Sequence, residues 1–224
     1  MTAKTMPQTQ IKLPQMAENS QHTLWAKWFS GLLFVAAAIL LVVSIAFPYW
    51  GMVLDAPQYP GGLMMRLFVN RMEGDPDTRL DEVREIDGLN HYIGMASMYD
   101  AATIEKAIAI PGIVFMVVAL SINALLRRRW LWLLVIPAIL FPMVFLADLA
   151  FWLNYYGQNL DPTAPLSSSI RPFTPAVLGE STIGQFKTLA YVDTGWMMAS
   201  AAAVMTGLAL LIRMLDERKK PRSQ

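Results

Sequence analysis

Cysteine is absent from this chain of 224 residues, and histidine occurs only twice, at His22 and His91. The first absence excludes disulfides, thiolate metal centres, iron–sulfur clusters, c-type haem attachment and a cysteine nucleophile. The second excludes multi-histidine sites within one chain, such as a bis-imidazole transmembrane haem or a three-histidine zinc centre. Charge is also scarce, at 16% of residues against ~25% in an average soluble domain. The formal net charge of +1 provides no global field toward nucleic acid or an acidic partner. There is no Walker loop, dinucleotide glycine fingerprint, G-x-S-x-G or HExxH. The chain has few side chains with which to carry out a reaction, and it is read as a non-enzyme.

What is abundant is apolar: 55% of residues, with a mean hydropathy of +0.39. Four stretches reach the ~20 residues needed to cross a hydrocarbon core as a helix. They are residues 28–47, 107–126, 130–153 and 189–212, and only Arg127–Arg129 separates the middle two. The expected fold class is therefore all-α integral membrane, a bundle of four transmembrane helices with a tight turn at 127–129. The remaining segments are two loops, 48–106 and 154–188, and two tails, 1–27 and 213–224. Residues 1–27 are polar and read as a disordered tail. Ser44–Ile45–Ala46 has the small-x-small form of a signal-peptide end. The long apolar run and the missing basic leader favour an uncleaved anchor.

Lys and Arg decide the orientation. One side, holding both tails and the 127–129 turn, carries eleven basic residues, and the two loops carry seven. Basic residues in short segments mark the cytoplasmic side. Both termini are expected there, and both loops outside. Trp50, Trp152, Tyr155 and Tyr156 mark one interface, and Trp25, Trp28, Trp130 and Trp132 the other.

Within the first loop, Leu63, Met65, Leu67 and Val69 fall on one face and Arg66 and Asn70 on the other, as in a strand. Leu80–Ile86 is expected to return as its partner in a small β-hairpin closed at Asp87–Gly88. Ser97 and Asp100 have capping-box spacing, and Asp100 is expected to cap the helix into the second span. The second loop is rich in Pro, Ser and Thr and carries no motif, whether it is ordered by contact or a floppy lid. Small residues in the fourth span, Gly195, Ala199–Ala203 and Gly207, permit close helix approach. Whether they serve this bundle or a partner subunit is open at this level.

Two constellations could carry chemistry. His91, Met95 and Met98 stand at i, i+4 and i+7, one face of a helix, and imidazole with thioether suits Cu(I). Met64, Met65 and Met72 lie in the same loop. The competing reading, which weighs more, is that the methionines pack and His91 is bonded at a turn; Gly94 weakens the helix. The other constellation is Glu105, Asp148 and Asp193, carboxylates near one end of three spans. Ionisable groups at such depth face the bundle interior and pair. They could form a proton or cation site, or, with more weight, lock helix packing.

Tyr59-Pro-Gly-Gly-Leu, Glu73-Gly and Ile86-Asp-Gly-Leu-Asn-His-Tyr-Ile-Gly-Met together resemble a loop of uncharacterised bacterial polytopic membrane proteins associated with copper and nitrous-oxide-reductase accessory systems. The resemblance covers about 40 residues of one loop. It implies a bacterial inner-membrane location, copper as cofactor, and His91, Met95 and Met98 as its ligands. The usual copper-chaperone cysteine has no counterpart here.

The expected function is a non-catalytic accessory or assembly subunit of an extracytoplasmic metalloenzyme or respiratory complex. Its partners would be the lipid bilayer and other membrane subunits, with no nucleic acid. The alternatives are copper binding or trafficking through His91 and the methionines, and proton or ion transport through Asp148 and Asp193. Four spans without an internal repeat weigh against a stand-alone transporter.

Overall fold

The computed structural model describes residues 13–166 and 168–219. Expectations for residues 1–12 and 220–224 fall outside that range. Four of its helices are long and apolar enough to cross a membrane, and an antiparallel sheet sits at one end of them.

Helix α1 spans Leu13–Ser44. Residues 13–27, expected in a disordered tail, form its first turns instead. Their Met, Ala, Glu, Gln and Lys are good helix formers, and an apolar span extending from them removes the cost of a separate nucleus. Helix α2 is Glu82–Ile93, α3 Thr103–Leu125, α4 Ile136–Gln158 and α5 Thr194–Lys219. A 3-10 helix, Arg129–Val135, lies between α3 and α4.

The spanning helices are arranged as an open row, α3–α1–α5–α4. The closest pair is α1 with α5, while α3 lies on α1 and α4 on α5. The small-residue face of α5 is used inside the chain. Ala199, Ala202 and Ala209 are fully buried in one cluster with Phe34, Ala37 and Leu41 of α1. The expected tight hairpin of the second and third spans forms only at its turn, because α3 packs on the 3-10 segment rather than along α4. Helix α4 is held to α5 instead, where the Trp196 indole donates to the Pro142 carbonyl at 2.9 Å.

The arginine end is tied by side chains. Arg213, only 9% exposed, stacks 4.5 Å over the Phe34 ring. It donates to the Asn123 carbonyl and to Ser30 Oγ, and Arg127 pairs with Asp216 at 3.2 Å. Arg127, counted above among the basic residues that set the orientation, is thus also a tie between the end of α3 and α5.

The sheet has five strands in the order β3-β2-β1-β5-β4, with every pair antiparallel. They are β1 Trp50–Ala56, β2 Tyr59–Leu67, β3 Met72–Glu73, β4 Gly179–Ile183 and β5 Phe186–Val192. The alternation expected at Leu63, Met65, Leu67 and Val69 holds only as far as β2 runs: Leu63 and Met65 are buried on one face of it, while Val69 lies beyond its end and packs with the helices. Pro60 is tolerated because β3 covers only Arg66 and Leu67, leaving the start of β2 at a free edge.

Three expectations are corrected here. The hairpin partner of β2 is β1, not residues 80–86. That segment begins α2 because the Asp81 carboxylate accepts from the Arg84 amide and Val83, Ile86 and Ile93 share a buried helical face. Asp87 and Gly88 are therefore helical rather than a closing turn. The start assigned to the fourth span, residues 189–192, belongs to β5, and the helix begins at Thr194. The second loop, in which no motif was recognised, supplies the β4–β5 hairpin.

Sheet and bundle are joined through Tyr49. Its amide donates to the Leu67 carbonyl at 2.8 Å and its carbonyl accepts from the Asp193 amide at 2.9 Å. The side chain is fully buried, its hydroxyl lies 2.7 Å from Ser44 Oγ, and its ring packs 5.0 Å from Phe145. Burial pushes the phenol up to about 12.

Candidate functional site

The open row of helices leaves a seam unfilled. Between α3 and α4, on the half nearer the sheet, lies an apolar crevice of about 550 Å³. Its walls include Phe115 and Met116 of α3, and Phe141, Val144 and Phe145 of α4, and it is roofed by Phe68 and Met98. A volume in the range of roughly 300–1,000 Å³, mostly apolar walls and a few polar groups are the ordinary properties of a small-molecule cleft.

The polar groups gather near the roof. Glu105 stands in the first turn of α3 and Asp148 on α4, both on the wall of the crevice. Trp152 and Tyr156 follow Asp148 at i+4 and i+8, hence on the same face of α4. All four line the crevice together with Lys106. The Trp152 and Tyr156 rings lie 5.5 Å apart at 49°. The Trp152 indole nitrogen is buried beside Asp148 without a hydrogen bond of good geometry. The Lys106 ammonium donates to the Tyr99 carbonyl and lies 5.4 Å from that ring.

The carboxylate trio expected from the sequence is thus brought together only in part. Asp193 lies just before α5, where its Oδ1 accepts from the Thr194 amide and hydroxyl. It does not line the crevice, so an ion path through Asp148 and Asp193 has no geometric support. Trp152 and Tyr156 were legible as interface aromatics. Their spacing from Asp148 was the signal that placed them in the same site.

The His91–Met95–Met98 face does not form. Helix α2 stops at Ile93, and Gly94 takes φ +83°, donating its amide to the Asn90 and His91 carbonyls, a left-handed C-terminal cap. The chain then reverses and ties itself to the second loop, with the Asp161 amide donating to the Gly94 carbonyl at 2.8 Å. His91 is left exposed, while Met95 and Met98 are buried beneath the sheet with Met52 and Met65. Cu(I) titrated against a chromogenic chelator is accordingly expected to show the same affinity for wild type and His91→Ala. Clear weakening in His91→Ala would restore the histidine as a ligand. Among the described residues, no group of three or more His, Asp or Glu side chains could hold a metal ion.

Asp87 has a structural task that the sequence did not reveal. Its carboxylate accepts from Ser97 Oγ at 2.6 Å, from the Met98 amide at 2.8 Å and from the Tyr99 amide. This fixes the turn that becomes the crevice roof. Asp100 does not cap α3. Ala102 occupies the cap in a left-handed conformation, and Ser97 Oγ accepts from the Asp100 amide at 3.4 Å.

No protein-family model matches this sequence, and no curated protein matches it.

Proposed function

We propose that this protein is a non-catalytic accessory or assembly subunit of a bacterial inner-membrane complex. In this reading its termini are cytoplasmic and its sheet is presented to an extracytoplasmic partner. The observation that supports it is the rigid frame common to sheet and bundle. The inner strands β1 and β5, paired from Trp50–Val192 to Asp55–Lys187, adjoin α1, across residues 45–49, and α5, the most closely packed helices. Only Asp193 separates β5 from α5. A partner seated on the sheet is thereby held at a fixed height and angle above the bilayer. Strand β4 is an edge strand and is largely exposed at Gly179, Glu180 and Thr182. Such an edge can accept a further strand or a polar surface.

The test is native mass spectrometry of the complex after gentle extraction, paired with crosslinking from Glu180→Cys using a reagent that does not cross the membrane. The expected result is one heteromeric complex of fixed stoichiometry, with the crosslink falling on a subunit of that same complex. Recovery of the chain only as itself would overturn the reading. A site at Glu180 reached only after the membrane is broken would overturn its orientation.

A further inference from the structure

We propose that the α3–α4 crevice is a binding site for a membrane phospholipid with a primary-amine head group, the ammonium held by Asp148 and Glu105 and the acyl chain lying in the apolar slot. The cavity itself supports this first. It opens between two spanning helices, so lipid is the solvent at its mouth, and its walls below Asp148 are apolar side chains. A transmembrane helix ~10 Å across and ~30 Å long would fill roughly 2,400 Å³. That is several times the crevice of about 550 Å³, so a partner helix would rest at the mouth without filling it.

Charge then selects the head group. Asp148 and Glu105 place two carboxylates in one slot, and neither has an ion-pair partner within 4.0 Å among the described residues. Lys106 reaches toward the Tyr99 carbonyl instead. An ammonium supplies the missing counter-charge and up to three N–H donors, and charge-assisted bonds of this kind are about twice as strong as neutral ones. The faces of Trp152 and Tyr156 beside the carboxylates favour the same cation. A zwitterionic lipid also carries a phosphate. Lys106, whose ammonium rests on the exposed Tyr99 carbonyl, provides a cation for it on the same wall. An anionic glycerol head group would meet two carboxylates with no compensating ammonium.

Depth agrees with a head group. Asp148 lies one turn, ~6 Å, below Trp152, and Trp152, Tyr155 and Tyr156 form the aromatic cluster expected at an interface. Glu105 is equally near the start of α3. The lipid would sit with its head just inside the interface and one chain directed along α4 toward Pro137. It would complete the seam that the protein leaves open.

The experiment uses the full chain, without any partner subunit, in bilayers containing equal amounts of ethanolamine and glycerol phospholipids with identical acyl chains. Lipids retained after release are weighed by native mass spectrometry. Wild type is expected to keep the ethanolamine lipid preferentially. The Asp148→Asn, Glu105→Gln double variant should lower that preference by more than about tenfold, the loss that a single charge-assisted contact implies, whereas Asp148→Glu should largely retain it. Equal retention of both lipids by wild type would overturn the proposal, as would an unchanged preference in the double variant. If the double variant does not fold, displacement from wild type decides. Dodecylamine should release the bound lipid and dodecanol of the same length should not. Equal release by both would show an apolar slot without head-group recognition. Retention of dodecylamine but of no phospholipid would assign the crevice to free amines. Because no partner subunit is present, these outcomes stand apart from success or failure of the accessory-subunit reading.

Discussion

Replacing Gly195 with valine is expected to cost roughly 3–5 kcal/mol, the upper end for a single substitution. In a chain of ordinary marginal stability that is enough to remove most folded protein. Gly195 lies where α5 leaves the sheet, and its amide donates to the Pro48 carbonyl at 2.8 Å. A Cβ there would stand 2.5 Å from Tyr49 Cδ2 and 2.6 Å from the Phe47 carbonyl oxygen. One of these neighbours is backbone and the other a fully buried ring, so neither can yield cheaply. The measurement is the midpoint of unfolding in detergent, or the yield of monodisperse protein where unfolding is irreversible. Gly207→Ala in the same helix is the control. A Cβ meets nothing within 4 Å there, and alanine is the better helix former, so its midpoint should be equal or slightly higher. Matched midpoints for the two variants would contradict the role given to the Tyr49–Gly195 joint.

Trp50→Ala is expected to destabilise by a similar ~3–5 kcal/mol, the usual range for a buried Trp truncation. Trp50 opens β1, is fully buried, and is the largest such side chain. Its indole donates to the Val177 carbonyl at 2.6 Å, which pins the segment before β4 to the centre of the sheet. Truncation therefore opens a cavity beneath the sheet and leaves a carbonyl without its donor. Trp50→Phe separates these effects. It keeps most of the apolar volume and loses the hydrogen bond, so its cost should fall to about 1–3 kcal/mol. Thermal unfolding of the two variants measures the difference. Equal losses would mean that the indole bond, not the packing, governs this corner of the fold.

The spans were the most legible part of the chain because a bilayer imposes a length and a composition that local sequence must satisfy alone. The spans expected at residues 28–47 and 107–126 overlap helices long and apolar enough to cross, Lys27–Ser44 and Thr103–Leu125, with residues 45–47 and 126 left outside them. The start of the fourth span was misread at residues 189–192 because a buried central strand and an apolar helix have the same composition. Only the pairing of Leu189 with Val53 and with Glu180 makes that segment a strand. Helix α2 was misread as a strand for a related reason. Its buried positions, Val83, Ile86 and Ile93, gain meaning only once the sheet supplies a surface for them to cover.

The candidate site divides in the same way. Asp148 was identifiable by residue type, since a carboxylate in an apolar span is unusual at any position, and Glu105 by its place just before the second span. Their partnership, and the exclusion of Asp193, depended on which helices become neighbours. The His91, Met95 and Met98 spacing failed at one residue, Gly94, where a left-handed cap turned a helical face into one exposed side chain and two buried ones. By itself, then, the sequence determined the four apolar helices, the strand alternation at Leu63 and Met65, and the scarcity of reactive side chains, because each follows from local composition and period. Tertiary structure alone decided the β1–β5 frame, the open α3–α4 seam and the meeting of Glu105, Asp148 and Trp152 within it. Those contacts join segments of the chain far apart in sequence, and their geometry is set by packing rather than by any local preference.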